Sequence, residues 1–210
     1  GDVRAVMRQR GTVIGRLQAL VKPFGGGSNW SERLMAAPLS GGFRYNGPSE
    51  TLYSFAGPAQ QAVSGPIAVA ADFRCVVNSP CLEGVIHGKD MVYENQAFGT
   101  RLTGMTINGR FNGDRLLIEN MTAKAGDGSI EANGFISFAA AQGYPMNISA
   151  KLQKARLARS DNLGAEATGD LQLLKSAGET AILSGDLRIP EARYKYVREG
   201  AASVPSLTGV

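Results

Sequence analysis

The stretch Ala123–Phe138, AKAGDGSIEANGFISF, decides how the rest of the chain is read. After Gly126-Asp127-Gly128 it alternates, with Ile130, Ala132, Gly134, Ile136 and Phe138 on one side and Ser129, Glu131, Asn133, Phe135 and Ser137 on the other. Period two with one apolar side is the mark of a strand buried on one face. The GDG that opens it is hairpin chemistry. Gly134 interrupts the apolar row, where a packed core would hold bulk. That face needs something to lie against it.

The same pattern runs outward in both directions. GTVIGRLQALV (11–21), GGFRYNG, ETLYSFAG, GPIAVAADFRC, CLEGVIHG, MVYENQAFG, RLTGMTINGRF and DRLLIENMTAKAG precede it as short strands. YPMNISAKLQ, ARLARSD, AEATGDLQLL, TAILSGDLRI and EARYKYVREG follow. About a dozen strands spaced by roughly 8–12 residues predict an all-β architecture. A degenerate phrase, glycine beside a polar residue and then an aliphatic alternation, recurs near Gly104, Gly134, Gly169 and Gly185. It suggests a meander of similar hairpins, with a register slip expected around Thr103–Met105. One helix is expected at 29–36, capped by Ser28 or Asn29 and stopped by Pro38, with Trp30, Leu34 and Met35 able to plug an open end of the sheet. Residues 1–10 read as a tail, and 11–210 as one domain.

Composition narrows the function classes. The chain is 43% hydrophobic and 19% charged, too apolar for disorder, and its 27 glycines and 9 prolines fall as turn punctuation without period. A net charge of +4 is modest, and the basic runs RAVMRQR (4–10) and KLQKARLAR (151–159) carry no interleaved aromatics, so nucleic-acid binding is not expected. No run approaches the roughly 20 apolar residues of a spanning helix. The chain opens on Gly1-Asp2, which reads as a piece of a longer protein whose targeting segment or anchor lies upstream.

No catalytic constellation emerges. His87 is the one histidine and sits on the polar side of its strand, without a partner at metal-ligand or general-base spacing. There is no G-x-S-x-G elbow, and GDG continues into Ser129-Ile130-Glu131, lacking the third glycine of a dinucleotide loop. Asp170, Asp186 and the Ser160-Asp161-Asn162 triplet are turn residues first. The sequons at Asn29, Asn120 and Asn147 matter in a eukaryotic secretory chain alone. Neither enzymatic activity nor a metal or cofactor is expected. Cys75 and Cys81 flank VVNSP; pairing of 76 with 80 would set them face to face. They read as a disulfide in an oxidising compartment or as two small buried residues in a reducing one.

Ordered phrases carry a resemblance. PLSGGFRYNGP, SGPIAVAADF, LEGVIHGKDMVYENQAFGTRLTGMTINGRF and DRLLIENMTAKAGDGSIEANG, followed by ARLARSD, SGDLRIPEARYKY and VPSLTGV, resemble the conserved C-terminal region of TamB, the translocation and assembly module subunit, over about Gly11–Val210. The resemblance implies part of a long periplasmic protein, anchored in the inner membrane and similar to the AsmA-like, bridge-type lipid-transfer proteins. It implies a sheet folded lengthwise into a taco-like groove with an apolar interior. It also implies a TamA-like outer-membrane barrel as partner, and roles in phospholipid passage and in assembly of autotransporters and other barrel proteins.

On that reading the apolar rows line the groove and face acyl chains. They comprise Val13 and Leu17; Ile67, Val69 and Phe73; Leu82 and Ile86; Ile107 and Phe111; Ile130 and Ile136; Ile148 and Leu152; Leu171 and Leu173; Leu183 and Leu187. Gly84, Gly134 and Gly169 would permit the curl. Two other readings use the same residues. One is a chaperone-like scaffold that pairs its exposed edges with unfolded barrel clients. The other is a structural β-solenoid spacer whose apolar row is its dry core.

Overall fold

The computed structural model describes residues 1–22, 28–54, 60–159 and 163–194. Its strands are β1 (Asp2–Gln9), β2 (Thr12–Val21), β3 (Leu39–Pro48), β4 (Gln61–Ser64), β5 (Pro66–Val76), β6 (Ser79–Asn95), β7 (Thr100–Gly113), β8 (Arg115–Ala125), β9 (Gly128–Ser137), β10 (Met146–Arg159), β11 (Leu163–Lys175) and β12 (Ile182–Tyr194). All belong to one antiparallel sheet in chain order, except that β4 and β5 share a neighbour, β6. The expected all-β meander is the architecture. The expected breaks at residues 23–27, the triplet 160–162 and the end from 195 lie outside the described residues.

Several boundaries differ from the sequence reading, each for a local reason. Residues 2–9 form an edge strand, where a tail was expected. The dense arginines of RAVMRQR conceal an alternation in which Ala5 pairs with Leu17 and Met7 with Gly15. ETLYSFAG contributes the short helix α2 (Ser49–Tyr53) where a strand was expected, with Pro48, at φ −70°, in the cap position. CLEGVIHG and MVYENQAFG are one strand, β6, bent by a bulge between Gly88 and Met91. Asp90, with φ 53°, lies in that bulge.

The helix α1 (Trp30–Met35) forms where expected. Asn29 Oδ1 accepts from the Glu32 amide at 2.8 Å. The Ser28 hydroxyl and amide donate to the Glu32 carboxylate and hold it below the usual carboxylate range. This is a reciprocal cap of the kind that starts helices. The helix does not plug the sheet, however: Trp30 is 70% exposed and α1 buries none of its residues. Six residues make under two turns and offer no continuous apolar face. Ala37, just beyond it, is buried instead, and Pro38 bridges to Val76.

Cys75 and Cys81 are joined, with Cα atoms 5.6 Å apart. The register differs from the expected one. Val76 pairs with Ser79 around the two-residue turn Val77-Asn78, so Cys75 lies opposite Pro80, and Arg74 lies opposite Cys81. The cysteines are therefore offset by one residue, on positions that strict alternation would send to opposite faces. Cys75 adopts φ 75°, a left-handed conformation that departs from that alternation. The clasped tip also holds the end of α1, through Val77 N to Ala37 O and Asn78 N to Met35 O. Converting both cysteines to serine is expected to lower stability by about 2 kcal/mol, from the loss of a short closed loop. Urea unfolding of the variant and of the reduced wild type should give the same shift.

The sheet curls most strongly through β7–β10. Beyond Gln153, β10 leaves β9 and runs past the β8–β9 turn. There the Thr100 hydroxyl donates to Leu157 O, and Arg159 N donates to Phe98 O at 3.1 Å. The start of β7 is thus tied to the end of β10 across the two strands between them. Inside this closure Met91, Leu102, Met105, Ala123, Ala125, Ile130, Leu152, Ala155 and Ala167 form the buried core. Alanines recur because opposed backbones approach closely where the sheet folds back on itself.

Candidate functional site

Register carries the apolar residues across the sheet in rows. One row runs Tyr45, Val69, Ile86, Gly109, Ile118, Gly134, Ile148, Leu173 and Leu183. Its neighbour runs Leu17, Phe43, Ala71, Gly84, Phe111, Leu116, Ile136, Met146 and Lys175. On the other side lie Ile67, Gly88, Ile107, Met121, Ala132, Ala150, Leu171 and Gly185, and then Ala123, Ile130, Leu152, Gly169 and Leu187. Phe73 and Leu82 pair beyond the second row. Val13 does not join them: the register shift at Ile14 pairs Val13 with Arg8 while Gly15 pairs with Met7, so Val13 turns to the opposite face and Ile14 takes the apolar side, next to Gly47. The other residues read from the sequence as groove-lining share this one face.

Large and small residues alternate across strands. Gly84 lies between Ala71 and Phe111, Gly134 between Ile118 and Ile148, and Gly169 between Leu152 and Leu187. Each gap gives room to bulk on the neighbouring strand.

Burial divides the face into three parts. Ile130 and Leu152 lie within the packed core at the closed end, Leu152 at 1% exposure. They line no open groove, because the β10 crossover puts protein over them. Ile67, Ile107, Leu171 and Leu187 pack against that core, and Val69 is buried in β5. Leu17, Phe73, Leu82, Ile86, Phe111, Ile136, Ile148 and Leu173 are half-buried. Leu183, on the edge strand, is 65% exposed. Among the described residues no second sheet or helical layer covers the half-buried part. The face is a trough, closed where β7 meets β10 and open at the end of the β9–β10 and β11–β12 connections.

The opposite face is polar for most of its length. Asn133, Ser149, Gln172 and Ser184 form one row there, and Glu131, Lys151, Asp170 and Asp186 the next. Arg44 pairs with Asp72 at 2.7 Å and Arg110 with Glu119 at 3.2 Å. Such exposed pairs contribute little to stability. Phe135 lies on this side with the Arg115 guanidinium 4.5 Å from its ring centre. His87 is exposed, with Nδ1 2.6 Å from Asn108 Oδ1, which fits a strand histidine held by a neighbour.

The sequence reading missed Met91, Leu102, Met105, Ala155 and Ala167. Register shifts between Gly88 and Met91, Thr103 and Thr106, Ile118 and Met121, and Leu152 and Ala155 each change the parity of a strand midway. The shift in β7 falls at the expected place. Those in β6 and β10 fall on GKD and QK interruptions that could have signalled them, and that in β8 falls on Glu119-Asn120.

Residues 119–210 match the family model of the TamB C-terminal domain. Over that stretch, somewhat less than half of its length, the chain is similar to the TamB C-terminal domain. No curated protein and no solved structure matches the chain. The TamB match begins within β8 and takes in β9–β12, the strands that build the closed end and the mouth of the trough. Among the described residues no helix is long and apolar enough to cross a membrane.

Proposed function

We propose that the open part of the trough binds phospholipid acyl chains. The chain then serves, without enzymatic chemistry, in phospholipid passage toward the outer membrane and so supports assembly of autotransporters and other barrel proteins with a TamA-like partner. The observation that carries this reading is the apolar face itself, continuous from Leu17 on β2 to Leu183 on β12 and covered by no protein layer among the described residues. Apolar surface left in water is unfavourable by roughly 25 cal/mol per Å². An acyl chain removes it, at about 0.8 kcal/mol per buried methylene. A trough without fixed polar anchors along its middle holds hydrocarbon while letting it slide, as passage requires.

A second reading draws on the edges. Among the described residues β1 and β12 each pair on one side alone, and Val3, Val6, Ile182 and Ile189 are exposed there. Such edges can add a strand from an unfolded barrel client or from the partner.

Native mass spectrometry of protein prepared without detergent, with lipid extraction of the same sample, separates the two. Phospholipid should accompany the wild type. Ile148→Arg, a charge in the middle of the trough, should lower its occupancy at least ~tenfold while the far-ultraviolet circular dichroism is kept. A lipid-free wild type that melts cooperatively would overturn the lipid reading.

A further inference from the structure

Among the described residues, Lys175 is the one charged residue in the four rows of the apolar face. It ends β11 at the mouth of the trough, opposite Met146, which in turn pairs with Ile136. No ion pair found among the described residues involves it. The mouth around it is ordered: Gly178 N donates to Gln142 O at 2.9 Å, tying the β9–β10 connection to the β11–β12 turn. The other end is sealed by Met91, Met105, Leu152, Ala155 and Ala167.

We infer that the trough is polar in the directional sense. It takes an anionic glycerophospholipid with its acyl ends toward the sealed core and its phosphate-bearing head at Lys175. The inference rests on the acyl-chain reading above and specifies its ligand and orientation. Lys175 lies six residue steps from Gly169, the partner of Leu152 at the seal, a span of about 20 Å at roughly 3.3 Å per residue. One leaflet of hydrocarbon is about 15 Å, half of a roughly 30 Å bilayer core, so a chain anchored at the mouth fits before the seal. A head placed at the sealed end would put a phosphate against methionine, leucine and alanine without a partner, which is strongly unfavourable. At the mouth it meets an ammonium with three donors and remains in contact with water. A lysine stem lying along apolar surface with its charge at the rim suits that place.

The test incubates lipid-free protein with vesicles of phosphatidylcholine and phosphatidylglycerol in equal parts, re-isolates the protein, and measures the lipid classes it carries. The wild type should carry phosphatidylglycerol over phosphatidylcholine by about fivefold at low salt, the effect of one cation near an anionic head. Added salt should weaken that preference. Lys175→Gln should bring the ratio to about one with total uptake kept, and Lys175→Glu should invert it. Lys151→Gln, on the polar face of β10, should leave the preference unchanged. Uptake without headgroup preference in the wild type, or preference that survives Lys175→Gln, overturns the role of Lys175 and leaves the acyl-chain reading standing. No uptake of either lipid overturns both.

Discussion

Leu152→Ala is expected to lower the unfolding free energy by about 3–5 kcal/mol, a large effect in a chain whose apolar face is otherwise half open. Among the described residues Leu152 is the largest fully buried side chain, and its strand partners are Ile130 on β9 and Gly169 on β11. The surrounding core is made largely of alanine and of residues fixed by bulged strands, so the site has little means of collapsing into the space left. The urea midpoint should fall with an unchanged slope, since the surface exposed on unfolding stays the same. Leu183→Ala, at 65% exposure, should change stability by less than about 0.5 kcal/mol, although it occupies the same face. The contrast between two leucines on one face is the test. A comparable loss at both would mean that the apolar row is an evenly packed core from end to end, as in a dry solenoid spacer. Amide exchange should agree, being slowest in β7–β10 and fast in β1 and β12.

The same contrast shows what the sequence could and could not reveal. Period-two alternation assigned the correct face in β2 beyond Gly15 and in β5, β9, β10, β11 and β12, because in those stretches one side is apolar and the other polar, and a one-residue slip would reverse both; it failed at Val13, which the bulge at Ile14 turns to the other face. It also located the α1 cap, since Asn29 and Glu32 interact locally. Closure was not legible. It depends on the Thr100–Leu157 and Phe98–Arg159 contacts, which join positions nearly sixty residues apart, and on bulges that change parity within a strand. Alternation has no memory across a bulge, so Met91 and Met105 read as ordinary strand residues. Ile130 and Ile148, likewise, look alike in sequence; that one is sealed under β10 and the other faces the trough is decided by the path of a different strand. β1 was lost for another reason: a row of arginines on an exposed edge reads as a solvated tail. The disulfide offset belongs to the same class, because Cys75 leaves the alternation through a backbone conformation that its neighbours do not announce.

Gly134→Ala is the second large expected effect, and it bears on the feature that first set this sequence apart. Gly134 has φ 146°, a backbone conformation that residues with a Cβ rarely adopt. A Cβ there would run into the carbonyl oxygen of Asn147 and stand 2.8 Å from Ile148 Cα. Both atoms are backbone of the paired strand β10 and cannot swing aside as a side chain end can. Gly84 meets the Ala70 carbonyl, Gly169 that of Asp186 and Gly185 that of Asp170 in the same way, so three glycines of the recurring phrase, Gly134, Gly169 and Gly185, share one job with Gly84. They let neighbouring backbones close in on the trough side, which bends the sheet at those points. Strain of about 1–3 kcal/mol, together with one or two disturbed ladder hydrogen bonds at about 1 kcal/mol each, gives an expected loss of roughly 3 kcal/mol or more. Gly104→Ala is the control. Its φ is 56°, but a Cβ there meets open space, so its loss should stay near 1 kcal/mol. Chemical denaturation of the two variants decides the matter. If Gly134→Ala cost no more than Gly104→Ala, the gap in the apolar row would be a matter of trough width alone. If the larger loss is seen, the missing side chain is required by the bend of the sheet, and the open apolar face follows from that bend.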